Sequence, residues 1–193
     1  MKKKVNIKKM NQQKLFKKTN EDKRGKLSSL LNEFMQDNHY SKIIKYFGNL
    51  NSKTLILGES PVQNHVSNPK SQCCFCFDIN STEVVDNLSG SVLIKVFKEL
   101  GLSIKDYFWA NVYQLPIESL SKEEKELHEK LLINIINTLD ISRIIVLGRN
   151  AESVIKRLDL DITVDFIYHP GYCVRNSNYY SRYKMMWESL KLK

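Results

Sequence analysis

Four short strand-like segments, alternating with helix-patterned ones, constrain most strongly what this chain can become. They are Thr54–Leu57 closed by Gly58, Tyr107–Val112, Arg143–Leu147 closed by Gly148, and Thr163–Tyr168. The first is a short continuous apolar run bounded by a turn signal, which reads as a buried parallel strand, and the others read as strands. Between them, Leu93, Val96, Phe97 and Leu100 recur at helical spacing and stop at Gly101. Ser121–Leu139 reads as a helix with Ser121 and Glu124 as a capping box, and a further helix spans Ala151–Leu158. A closing helix runs from Tyr180 to Leu192. Ahead of the first strand, Leu27, Leu30, Leu31, Phe34 and Met35, extended by Ile43, Ile44 and Phe47, predict a helix or helix pair that breaks near Gly48. Strands alternating with helices predict an α/β fold. The expected form is a three-layer α/β/α sandwich around a central four-stranded, mainly parallel sheet.

The charge is unevenly placed. Of 30 Lys and Arg in 193 residues, eleven lie in residues 1–26 against Glu21 and Asp22. The other nineteen basic residues are matched by nineteen acids, so the whole net charge of +9 sits in the N-terminal segment. The reading is a basic arm over residues 1–26 and one domain over 27–193. Such an arm attracts polyanions by counterion release, nucleic acid foremost, although a solvated lysine-rich tail has the same composition. No run approaches the roughly 18 apolar residues of a membrane helix, and the basic start lacks the apolar segment of a secretory signal. A cytoplasmic monomer without membrane contact is expected. Cys73, Cys74, Cys76 and Cys173 are spaced neither as a disulfide framework nor as a zinc finger, so reduced thiols and no metal are expected.

In a parallel sheet, ligands bind at the carboxyl ends of the strands. Three such ends are chemically loaded: Gly58-Glu59-Ser60-Pro61, Asn111-Val112-Tyr113-Gln114-Leu115-Pro116, and His169-Pro170-Gly171-Tyr172. Topology brings all three to one edge. The long polar connection from Pro61 to about Asn87 leads away from the first of them, and loops of that length are usually functional. Gly58-Glu59-Ser60-Pro61 lacks the glycine-rich cradle of a phosphate-binding loop, which argues against a nucleotide-binding enzyme of that kind.

In order and spacing these ends resemble the uracil-DNA glycosylase superfamily, and among its members most of all the bacterial and archaeal family 4 branch. Ile145-Val146-Leu147-Gly148-Arg149-Asn150-Ala151 and the segment from Tyr168 through Arg175-Asn176 to Trp187 are similar to further parts of it. The likeness covers roughly residues 53–191. It implies that a nucleotide is flipped out of DNA and its N-glycosidic bond hydrolysed through an oxocarbenium-like sugar, leaving an abasic site. His169, as a neutral imidazole, would then donate to the base oxygen where charge develops. Glu59 would orient or deprotonate the attacking water or stabilise the cationic sugar, with Ser60 as a weaker water ligand. Asn111 would read the pyrimidine edge, because one amide both donates and accepts. Phe77, or else Phe75, would stack on the base. Gly171, Tyr172, Val174 and Arg175 match the loop that wedges into the duplex and holds a phosphate.

The chain also departs from the family 4 pattern. Leu115 stands where an iron–sulfur cysteine would fall and no cysteine precedes Cys73, so no cluster and no cofactor are expected. Val62 follows Pro61, where a tyrosine in related enzymes excludes the thymine methyl. The expected substrate is therefore uracil or a modified pyrimidine in DNA, including hypermodified phage DNA, in a repair or phage-defence setting. The alternative is a catalytically inactive glycosylase-fold module that binds DNA or a protein.

Overall fold

The computed structural model describes residues 21–40, 46–61, 74–76 and 88–190. Most of the basic arm, Phe77, and most of the connection after Pro61 lie outside the described residues. Those described contain five strands: β1 (Phe47–Gly48), β2 (Thr54–Gly58), β3 (Phe108–Asn111), β4 (Arg143–Leu147) and β5 (Thr163–Ile167). Their helices are α1 (residues 21–37), α2 (Leu88–Glu99), α3 (Lys122–Leu139), α4 (Arg149–Leu158), α5 (Gly171–Arg175) and α6 (Tyr180–Ser189).

The sheet order is β1-β3-β2-β4-β5. The four strands read from the sequence are present and mutually parallel, with Ile56 opposite both Trp109 and Ile145, and Val146 opposite Phe166. The fifth is a correction. Phe47 pairs with Trp109 in a two-residue antiparallel edge strand, where the apolar spacing had suggested the end of a helix. Two residues carry no alternation that could be seen beforehand, and their pairing partner lies far along the chain.

Alternate strand residues face opposite ways, and this divides the core in two. Leu55, Leu57, Ile144 and Val146 pack beneath α1, α3 and α4, where Leu27 of α1 and Leu132 of α3 are fully buried. Ile56, Trp109, Ile145 and Leu147 pack beneath α2, α5 and α6, around Phe97 and Trp187, whose ring centroids are 4.9 Å apart. Helices therefore cover both faces of the sheet, and the three-layer α/β/α sandwich is the fold. Because α1 runs from residue 21 and buries Leu27, residues 21–26 are the first turns of a packed helix.

Local devices hold the frame. Ser121 Oγ accepts from the Glu124 amide at 3.2 Å while Glu124 returns a carboxylate to the Ser121 amide at 2.8 Å, completing the capping box of α3. Trp109 Nε1 donates to the Ile104 carbonyl at 2.7 Å. Arg143 joins β4 to Asp165 of β5 at 2.6 Å and donates to the Leu190 carbonyl at 3.1 Å, tying the end of α6 to the sheet.

Candidate active site

Because β2, β3, β4 and β5 are parallel, their carboxyl ends form one edge, occupied in spatial order by Asn111, Glu59, Gly148 and His169. Asn111 is buried, 3% exposed, at the last residue of β3 and in register with Gly58. Beyond the strand the pairing continues, since Val112 N–H donates to the Gly58 carbonyl and Tyr113 N–H to that of Glu59. The chain leaving Asn111 is pinned once more: Gln114 Nε2 donates to the Asn111 carbonyl at 2.7 Å, and the Gln114 amide donates to His128 Nδ1 at 3.1 Å.

Gly58 is the hinge of this corner. A Cβ on it would lie 2.7 Å from Asn111 Oδ1 and 2.7 Å from Phe75 Cζ, so only glycine lets the amide and the ring approach from either side. Phe75 sits in a single 3-10 turn at φ +57°, a left-handed conformation that costs a non-glycine residue free energy. Its ring also meets Trp109 edge-on at 5.7 Å. Among the described residues Phe75 is the ring that reaches this corner, with its Cζ edge toward Gly58, while Phe77 lies outside them.

Glu59 lies on the turn after β2, followed by the partly exposed Ser60. Asn150 Nδ2, from the first turn of α4, donates to Glu59 Oε2 at 3.0 Å, so one carboxylate oxygen is engaged by this amide. His169 follows β5. Its Nδ1 accepts the Gly171 amide N–H at 3.1 Å, so in the neutral ring the proton is on Nε2, which is a donor. Burial, and then the Arg175 charge, hold the His169 pKa below its ordinary 6.5, which keeps the imidazole neutral at pH 7. Gly148, at φ +98°, leaves room for the ring, as a Cβ there would come within 3.0 Å of His169 Cβ.

The segment expected as a wedge loop is instead the short helix α5. Its winding buries Gly171 and Cys173 and turns Tyr172, Val174 and Arg175 outward, with Tyr172 46% exposed. Arg175 lies over the Tyr172 ring at 5.2 Å. Three contributors went unnoticed in the sequence: Asn150, Gln114 and His128. Asn150 was within reach of topological reasoning, because β4 ends on the same edge as the other three strands. Gln114 and His128 gave no signal, since their contacts join segments whose spacing in space only packing determines.

An amide, a carboxylate and a neutral imidazole thus share one edge of a three-layer α/β domain. A family model for the uracil DNA glycosylase superfamily matches residues 45–191, and the chain belongs to that superfamily. The matched region runs from just ahead of β1 to the end of α6. No curated protein matches the chain. Membership ties the protein to base-excision chemistry on DNA. Among the described residues no helix is long and apolar enough to cross a membrane.

Proposed function

We propose that the protein is a DNA N-glycosylase that extrudes a uracil or a modified pyrimidine and hydrolyses its N-glycosidic bond to leave an abasic site. The observation that carries this reading is the neutral His169, whose Nε2–H is left as donor by the Gly171 amide, on the same sheet edge as the buried Asn111 amide. In this reading the flipped base stacks on Phe75 while Asn111 donates and accepts along its edge. The glycosidic bond breaks with its electron pair moving onto the base, and His169 Nε2–H stabilises the oxygen where that charge collects. Water adds to the sugar carbon and gives its proton to Glu59, whose carboxylate Asn150 orients. Ser60 adds a weaker contact to the same water. Tyr172 and Val174 fill the space that the base leaves, and Arg175 and the Gly171 turn hold the backbone. In the sequence Val62 follows Pro61 where related enzymes carry an excluding tyrosine, and this reading therefore extends the substrate to pyrimidines substituted at carbon 5, as in hypermodified phage DNA. The protein works as a cytoplasmic monomer, its basic arm adding nonspecific hold on DNA.

Single-turnover assays on oligonucleotides carrying uracil, 5-hydroxymethyluracil, 5-hydroxymethylcytosine or its glucosylated form test this. Release of one base by the parent, lost in His169→Ala and Glu59→Gln, supports the assignment and names the substrate. Tight DNA binding without release of any base by the parent overturns it in favour of a non-catalytic binder.

Two smaller effects follow from the geometry. Asn150→Ala is expected to slow excision about tenfold with KM little changed, because it loosens Glu59 without touching the base. Gly58→Ala is expected to raise KM about tenfold, because the new methyl displaces either Phe75 or Asn111. Steady-state kinetics on the best substrate of the panel separate the two.

A further inference from the structure

Beside His169 the surface carries an unbroken run of aromatic rings. Phe166 of β5 meets Tyr168 with centroids 5.4 Å apart, Tyr168 meets Tyr172 of α5 at 5.8 Å, and Tyr172 meets Tyr179 at 6.5 Å. These rings reach the surface: Tyr172 and Tyr179 are 46% and 41% exposed, and Phe166 and Tyr168 are partly exposed, Tyr168 also packing against the core beneath α2, α5 and α6. Three of the four also carry an arginine. Arg149 lies over Phe166 at 5.6 Å, Arg182 over Tyr168 at 5.7 Å and Arg175 over Tyr172 at 5.2 Å. Among the described residues, of these arginines only Arg149 has an acid near it, Glu152 at 4.0 Å, which is longer than a hydrogen bond.

We propose that this run is a stacking platform for the unpaired nucleotides flanking the excised one, so that the preferred substrate is single-stranded DNA. The inference rests on the glycosylase reading and adds the form of its substrate. Bases within a duplex are stacked on one another and present only phosphates and groove edges outward, so a row of ring faces gains little from them. Unpaired bases offer their own faces to aromatic rings and to guanidinium planes, whatever their sequence. The arginines supply the second requirement, positive charge spaced along the rings to meet successive phosphates. Tyr168 precedes His169 in the chain, and Tyr172 stands on the helix whose first amide holds the His169 ring. The run therefore passes the candidate active site, one residue from His169 in the chain at Tyr168 and on the same short helix as Gly171 at Tyr172.

The full-length protein, arm included, is titrated into a fluorescently labelled single-stranded oligothymidylate and, separately, into the same strand paired with oligodeoxyadenylate. The thymidines of both probes carry a 2′-fluoro substituent, which disfavours the oxocarbenium-like sugar and blocks excision, so the outcome is independent of whether any base is released. The parent is expected to bind the single strand about tenfold more tightly than the duplex. Tyr179→Ala is expected to weaken single-strand binding by roughly tenfold, while Tyr179→Phe keeps it and duplex binding changes less than about twofold. Arg182→Ala is expected to lower the slope of log Kd against log salt by about 0.7 on the single strand, the loss of one phosphate contact. Equal affinity of the parent for the two forms, or single-strand binding by a folded Tyr179→Ala protein equal to the parent's, overturns the proposal.

Discussion

Replacing His169 with alanine is expected to slow base release about 10²–10³-fold in single-turnover assays while DNA binding stays within a few-fold of the parent. The reason lies in where the ring is held. The Gly171 amide occupies Nδ1, and burial with the nearby Arg175 charge disfavours the imidazolium, so the donor is a neutral Nε2–H fixed before the substrate arrives. A pre-oriented donor needs no reorganisation as charge develops, which is why a single one carries so large an effect. The pH dependence has a definite sign. The folded pKa lies below the ordinary 6.5, so the neutral ring persists as pH falls through 6.5. The His169-dependent part of the rate is expected to fall on acidification with a midpoint below pH 6.5. A rate midpoint above 6.5 that disappears in His169→Ala would contradict this geometry.

Acid is expected to destabilise the protein well before its carboxylates protonate, and His128 is the larger cause. Its side chain is fully buried between Phe34, Tyr40 and Tyr113, with Phe34 meeting the ring edge-on at 4.9 Å. Burial lowers its pKa to about 4, against a small opposing pull from Glu124. The unfolded chain therefore binds a proton near pH 6.5 that the folded chain refuses until about pH 4. Stability present at neutral pH is lost as pH falls through that window, about 2 kcal/mol between pH 7 and 5 from His128 alone. His169, shifted the same way, adds to the loss. Urea unfolding at pH 7 and pH 5 checks this in the parent and in His128→Asn, whose Oδ1 takes roughly the place of Nδ1 but does not titrate. The variant is expected to be less stable at pH 7 and to lose much less on acidification. An equal loss in both proteins would remove His128 from the account. The contact matters beyond stability, since protonating Nδ1 takes away the acceptor for the Gln114 amide, and Gln114 holds the Asn111 carbonyl.

Much of the molecule is legible in its residue order. β2, β3 and β4 follow from apolar runs and are largely buried, whereas β5, which carries Asp165, lies at the sheet edge with Thr163 and Val164 exposed. The capping box of Ser121 and Glu124 is a local motif and forms as read. Once the strands are parallel, Glu59, Asn111 and His169 share an edge by topology alone. Less was legible where contacts span the chain. Phe47 followed an apolar spacing typical of a helix, yet pairing with Trp109 across the sheet edge made it a strand. The segment after Pro170 was expected as a loop, but burying Gly171 and Cys173 winds it into α5.

The residue order alone thus determined the layer architecture, the basic segment and the chemical identity of the strand ends, because burial periodicity and local capping need no distant partner. Only the tertiary structure decided that Phe75 stands over Gly58 beside Asn111, that Asn150 reaches Glu59, and that His128 underlies Gln114. It alone joined Phe166, Tyr168, Tyr172 and Tyr179 into one run of rings. Each of these depends on close packing between segments remote in the chain, and close packing is a property of the assembled core that no local pattern encodes.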